Sequence, residues 1–446
     1  MKRIVILGAA ESGVGAAILA QQQGCEVFVS DMGTIKEHYK AMLDSYGLPW
    51  EEGQHTEELI LNADEVIKSP GIPETAPMIV ALREKGVPVI SEIEFAARYT
   101  SARMVCITGS NGKTTTTSLI YHILQKAGLN VGLAGNIGHS LALQVATAPH
   151  DCYVIELSSF QLDGMYDFRA NVAVLLNITP DHLDRYDFCM QNYVDSKMRI
   201  LRNQQADDTF IYWMQDEYIG HELSKYAVES RVLAFADHPC AGAAGAVDNG
   251  VLTLQEPAAF SMPVSEIGIT GKHNWRNAMA AAMAALAAGA TEEDVRRGLA
   301  DFPGVEHRLE RVCEVEGVRY VNDSKATNVD ACYCALDSMT TPVVLIVGGK
   351  DKGNDYTQLY PLVREKCRAL VYLGADNARL HEAFDTLGLP VADTHSMKDC
   401  VEACTRLARS GDTVLLSPCC ASFDLFRNME DRGEQFKEFA RALAKA

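Results

Sequence analysis

Gly109-Ser110-Asn111-Gly112-Lys113-Thr114-Thr115 is the stretch of this sequence best equipped for chemistry. Glycines at two positions let consecutive backbone N–H groups turn toward one point. Lys113 adds a mobile cation, and the Thr114 hydroxyl can ligate Mg²⁺. That combination suits the phosphates of a nucleoside triphosphate. The general phosphate-loop pattern has a glycine five residues before Gly112, where this chain carries Ile107, so the loop is a short variant. Thr270-Gly271-Lys272 lacks the following hydroxyl and the glycine spacing and reads as an ordinary turn.

Other polar residues gather where strands should end. Tyr153-Val154-Ile155-Glu156 is strand-like and closes on a carboxylate, the group that a metal shared between β- and γ-phosphates requires; otherwise Glu156 is a surface acid. His182, in Asn177-Ile178-Thr179-Pro180-Asp181-His182-Leu183-Asp184-Arg185, can orient a metal or phosphate or simply hydrogen-bond within its loop. Lys197, in a helical-looking segment, reads from its residues alone as a solvated lysine. Three further polar loops, 322–328, 348–353 and 417–423, can converge on one ligand.

These residues need a scaffold, and the periodicity predicts α/β architecture in three domains. Residues 1–91 alternate strands and helices in a Rossmann-like opening. Its turn, Gly8-Ala9-Ala10-Glu11-Ser12-Gly13-Val14-Gly15, has Ala10 where a dinucleotide fingerprint has its second glycine, which argues against NAD and against an oxidoreductase. A nucleotide can still lie over this turn with Asp31 near its ribose or base, unless the turn carries no ligand. Residues 92–301 form a central domain resembling a P-loop NTPase, with a mostly parallel sheet and an Ala-rich helix opened by His273-Asn274-Trp275-Arg276-Asn277. Residues 301–311 read as a linker into a second Rossmann-like domain, 302–446.

Composition narrows the classes. A net charge of −19 argues against a non-specific nucleic-acid binder. No apolar run approaches the length of a membrane span, and the chain starts directly on a strand, so a cytoplasmic protein is expected. Thirteen scattered cysteines without C-x₂-C spacing read as reduced thiols, with Cys332/Cys334 and Cys419/Cys420 as small buried residues.

The set Thr108–Thr115, Glu156–Gln161, His273–Asn277 and His307-Arg308 resembles the Mur ligases, ATP-dependent amide-forming enzymes of peptidoglycan synthesis whose superfamily includes folylpolyglutamate synthetase. Asp323-Ser324-Lys325-Ala326-Thr327-Asn328 looks like the branch that adds D-glutamate to UDP-MurNAc-L-alanine. The resemblance implies ATP, Mg²⁺ at two sites and an acyl-phosphate intermediate, with both substrates as the small-molecule partners of a monomer. It also implies residue roles. Lys113, His182, Lys197 and Lys325 are catalytic. Gly109 to Thr115, Asn274, Asn277, Arg308 and Asp323 bind ATP. Thr114, Glu156, His182 and Lys197 hold metal, the last as a carbamate formed with CO₂. Ser12, Gly13, Asp31, Gly71 and Asn136 take the UDP substrate, and Thr327, Lys352 and Ser422 take D-glutamate. Met32-Gly33 stands where the family carries Thr-Arg, and Met429 where it carries an aromatic residue. A ligase for another amino acid would differ at 323–328. A phosphate-loop switch or motor is the alternative from another class.

Overall fold

Short, almost wholly apolar runs such as Ile4-Val5-Ile6-Leu7 and Val105-Cys106-Ile107 are buried on both faces, which parallel sheets covered by helices demand. A computed structural model describes residues 1–225, 227–351 and 353–444. The chain forms two compact units, Met1–Ile267 with Arg276–Phe302, and Gly268–Trp275 with Pro303–Ala446.

The first unit contains two sheets. One is built from β1 (Arg3–Leu7), β2 (Glu26–Asp31), β3 (Trp50–Glu52), β4 (Glu65–Lys68) and β5 (Val89–Ile90), all parallel in the order β3-β2-β1-β4-β5. The order reverses between β1 and β4, and at such a switch point a crevice opens beyond the carboxyl ends of the strands.

The second sheet comprises β6 (Arg103–Thr108), β7 (Val131–Gly135), β8 (Cys152–Glu156), β9 (Val172–Leu175), β10 (Thr209–Trp213), β11 (Arg231–Ala236), β12 (Ala243–Asp248), β13 (Val251–Leu254) and β14 (Phe260–Pro263). Its order is β14-β13-β12-β11-β10-β9-β6-β8-β7, with only the β12-β13-β14 edge antiparallel. Within that edge β12 (Ala243–Asp248) is rich in Ala and Gly, whereas β13 and β14 alternate buried with more exposed residues. The chain leaves β6 for β7 and returns for β9 on the other side, so β6 lies at the second switch point. One apolar core runs continuously under both sheets of this unit.

The second unit holds β15 (Glu310–Val315), β16 (Val318–Asn322), β17 (Val343–Gly348), β18 (Cys367–Leu373), β19 (Val391–Thr394) and β20 (Thr413–Cys419), in the order β15-β16-β20-β17-β18-β19. All pairs are parallel except the β15-β16 hairpin. The segment expected to be a linker through Arg311 therefore already enters a strand at Glu310. The three polar loops leave β16, β17 and β20, which lie side by side.

No helix among the described residues is long and apolar enough to cross a membrane. All thirteen cysteines are free; Cys332, Cys419 and Cys420 are buried as expected, whereas Cys334 is only half-buried.

Candidate functional site

At the carboxyl end of β6 the chain makes two left-handed glycine turns, Gly109 (φ 153°) and Gly112 (φ 84°), before the helix Lys113–Lys126. Both glycines are sterically required. A Cβ on Gly109 would stand 3.0 Å from Leu176 Cβ, and one on Gly112 would stand 2.5 Å from Asn277 Oδ1. Gly112→Ala is expected to cost about 1–2 kcal/mol of stability for the left-handed backbone and to weaken nucleotide binding by displacing Asn277. Thermal unfolding together with ATP titration checks both effects.

The loop is tied to residues 177–179. Ser110 N donates to Asn177 O (2.9 Å) and Asn111 N to Asn177 Oδ1 (2.8 Å), while Asn177 Nδ2 returns a bond to Asn111 O at 3.0 Å. Thr179 N donates to Ser110 Oγ at 2.9 Å, and Ser110 Oγ also meets Tyr193 OH at 3.0 Å. Two loop amides are thus committed internally. An anion is left with Gly112 and the helix's first turn, whose N–H groups lack intrahelical partners. Sequence reading saw Asn177 only as part of a strand end and gave no hint of this brace.

Two lysines converge on one carbonyl. Lys113 Nζ donates to Gly109 O (2.8 Å) and Ser110 O (2.9 Å), and Lys197 Nζ donates to Gly109 O (2.9 Å). Lys197 is only 1% exposed, with its ammonium 4.7 Å from the Tyr193 ring centre, so the reading of it as solvated is overturned. It sits on the inward face of the helix Met190–Met198, whose register no short motif marks. Burial first, then the nearby Lys113 charge, holds its pKa well below the usual lysine value, against the pull of Asp181, Asp163 and Glu156.

Glu156 ends β8 beside β6, in register with Ile107. Its Oε1 accepts from Asn136 Nδ2 at 2.8 Å; Oε2 is buried with no hydrogen-bond partner among the described residues. An orphaned buried carboxylate oxygen next to a phosphate loop fits a hard divalent cation. The surface-acid alternative is excluded, because Glu156 is 1% exposed. His182, held in left-handed backbone (φ 52°), packs edge-on against Phe160 at 5.3 Å. Phe160 stacks on Tyr186, and Tyr186 meets Tyr193, which links His182 to the Lys197 environment.

In the first sheet, Asp31 spends its oxygens on backbone: Oδ2 accepts from Ala9 N (2.7 Å) and Oδ1 from Gly33 N (2.8 Å). It fixes the glycine turn as well as facing the crevice. Asp31, Met32, His55, Ser69 and Gly71 line a cavity of about 630 Å³ at the switch point. Ser69 Oγ is buried there with no hydrogen-bond partner among the described residues. Ser12 and Gly13 lie in the first turn of the helix Glu11–Gln22; a Cβ on Gly13 would fall 1.8 Å from Gly8 O.

In the second unit the loops do meet. Ser417 Oγ donates to Asp323 Oδ2 (2.9 Å) and Lys350 N to Ala421 O (2.8 Å). Burial raises the Asp323 carboxyl to about 7 despite the Arg308 charge, the Ser417 hydroxyl and the Leu309 N–H. Arg308 Nε is buried with no hydrogen-bond partner among the described residues, between left-handed His307 and Leu309. Lys325 is anchored through its backbone to His307 O (3.1 Å); Thr327 is exposed, Ser422 is buried, and Asn274 Nδ2 caps Thr270 O at 2.9 Å. Lys352 lies outside the described residues. Arg432, which sequence reading missed, is 1% exposed and ties Ser324 O (2.8 Å) to Cys420 O (3.1 Å), locking the 322–328 loop onto the 417–424 loop.

Comparisons with known proteins point to one family. Family models described as "MurD N-terminal domain", "Mur ligase middle domain" and "Mur ligase, glutamate ligase domain" match residues 3–78, 107–285 and 307–420. The chain is 62% identical to the UDP-N-acetylmuramoylalanine--D-glutamate ligase of Bacteroides fragilis and 64% identical to that of Bacteroides thetaiotaomicron, in each case over 99% of this chain and 100% of the relative. Its fold is similar to a solved structure of the UDP-N-acetylmuramate-alanine ligase MurC from Thermotoga maritima (TM-score 0.61, 17% identity, 99% of each chain). It is also similar to MurF ligase from Thermotoga maritima in complex with ADP (TM-score 0.60, 16% identity, 94% of this chain and 95% of that one).

Proposed function

Because this chain belongs to the Mur ligase family, whose members are ATP-dependent amide ligases, we propose that it joins D-glutamate to UDP-MurNAc-L-alanine in peptidoglycan precursor synthesis. The observation that carries the choice of substrates is the full-length agreement, above 60% identity, with relatives named for that reaction. The reaction belongs in the cytoplasm, catalysed by a monomer whose domains divide near residues 91 and 301.

A carboxylate is a poor acyl donor. Its oxygen attacks the γ-phosphorus of ATP, forming an O–P bond as the bond to ADP breaks. The amino nitrogen of D-glutamate then attacks the carbonyl carbon, loses a proton and expels phosphate, leaving the amide. Both steps concentrate negative charge at the phosphate loop. Lys113 answers it with an ammonium already anchored on two loop carbonyls. The loop glycines allow the phosphates to approach the backbone, with Asn277 beside Gly112; for the rest of ATP the family likeness offers Asn274, Arg308 and Asp323. Thr114, Glu156, His182 and Lys197 would hold Mg²⁺ in two positions, where it would neutralise phosphate charge. Asn136 turns the free Oε2 of Glu156 toward that task by occupying Oε1.

As an ammonium Lys197 cannot ligate a cation. Its lowered pKa favours the neutral amine, the form that adds to CO₂, giving a carbamate and releasing a proton to solvent. The UDP moiety occupies the first-sheet crevice, near Asp31, Gly71 and the Ser12-Gly13 turn. For D-glutamate the family likeness offers Thr327, Lys352 and Ser422, with Lys325 on the acceptor side. ADP release should require UDP-MurNAc-L-alanine and D-glutamate together. A coupled assay over a panel of amino acids checks this, and ADP formation stimulated by neither substrate would exclude the reading.

A further inference from the structure

A UDP-linked substrate brings a diphosphate to the first-sheet crevice, yet among the described residues no lysine or arginine lines that cavity, whereas Asp31 and Glu57 do. Any cation must come from the rim. Lys68 is already committed, its Nζ bonded to Ile72 O at 2.7 Å and paired with Glu74 at 3.1 Å. Arg185 is different. Its guanidinium lies 4.4 Å from the Phe160 ring centre, and its terminal nitrogens reach Gly71 O (3.4 Å) and Pro70 O (3.5 Å) at the outer limit of hydrogen bonding. Among the described residues no carboxylate lies within ion-pairing distance of it, although the chain carries a net charge of −19. Stacking on an aromatic face orients a guanidinium while leaving its N–H edge open to a planar or tetrahedral oxyanion. The Phe160 ring that supports Arg185 also takes His182 edge-on at 5.3 Å. Arg185 thus stands between the crevice wall and the residues around the phosphate loop.

Resting on the substrate reading above, we propose that Arg185 binds an oxyanion of UDP-MurNAc-L-alanine where that molecule passes from the crevice to the phosphate loop. The oxyanion is either the diphosphate or the terminal carboxylate, both of which a guanidinium fork can take with two N–H bonds. Phe160 is the positioning residue for this group, and the carbonyls of Pro70 and Gly71 hold the fork until the substrate replaces them.

Calorimetric titration of wild type, Arg185→Met and Arg185→Lys with UDP-N-acetylglucosamine, which has the diphosphate but no carboxylate, and with UDP-MurNAc-L-alanine tests the proposal. Arg185→Met should weaken binding by roughly ten- to a hundredfold, as for one charge-assisted contact. Loss with both ligands assigns the diphosphate; loss with the second alone assigns the carboxylate. Arg185→Lys keeps charge without the fork and should fall between, and it decides the matter if Arg185→Met does not fold. ATP affinity and the unfolding midpoint should stay unchanged, which a merely structural role would not predict. Affinities within twofold of wild type for both ligands would overturn the proposal. Wild-type protein that is active on neither substrate would instead remove the reading beneath it.

Discussion

Lys113→Ala should lower kcat by at least ~10³-fold while leaving the unfolding midpoint within a few degrees of wild type. The ammonium is held 2.8 and 2.9 Å from two carbonyls of the loop to which we assign the γ-phosphate. A preorganised donor in a site partly shielded from water is worth ~10²–10³ in rate, and here the donor carries a full charge. The loss should fall on kcat more than on the KM for either substrate, because the charge it answers is greatest in the transition state. Steady-state kinetics with each substrate varied in turn separates these. Activity within tenfold of wild type would refute the assignment.

The second large effect concerns Lys197. Lys197→Ala should cost about a hundredfold or more in kcat, the scale on which a misplaced metal ligand acts, and formate or acetate at millimolar concentration should restore part of it. The reason is geometric. Removing the side chain opens a space beside Gly109 O and Tyr193 that a small carboxylate can enter, supplying the anionic oxygens a carbamate would have provided. A lysine serving only to brace the loop would give no rescue, because the missing contact would be a donor and carboxylates donate nothing. Full activity of Lys197→Ala without added acid would also exclude the carbamate.

Much of the molecule is legible in its sequence. Apolar runs bounded by glycine turns reveal parallel strands, and Gly112-Lys113-Thr114 marks a phosphate loop because only a few residue types satisfy its backbone and charge requirements. Position at strand ends also singled out Glu156, and burial with one unpaired oxygen agrees with the demand placed on it. What stayed hidden depends on register and on long-range partners. Lys197 looks like any helical lysine until the face of its helix is known. Arg432 is more than a hundred residues from Ser324, and no local pattern could announce their bond. The same holds for Asn177 and the loop it braces, and for the β15 strand, whose alternation is too short to stand out from a linker. Asp323-Ser324-Lys325-Ala326-Thr327-Asn328 was informative through family likeness, since its residue types alone suit many polar loops.

The brace between Asn177 and the loop at Ser110 and Asn111 bears on the thermodynamics of nucleotide capture. Fixing a free backbone residue costs on the order of 1–2 kcal/mol, and a floppy loop would subtract that from the affinity at each ordered position. Here the 109–112 backbone is immobilised by bonds internal to the protein, so the ordering entropy is charged to folding. Nucleotide binding can then proceed with little conformational penalty at this loop, leaving interaction energy with the triphosphate available for the chemical step.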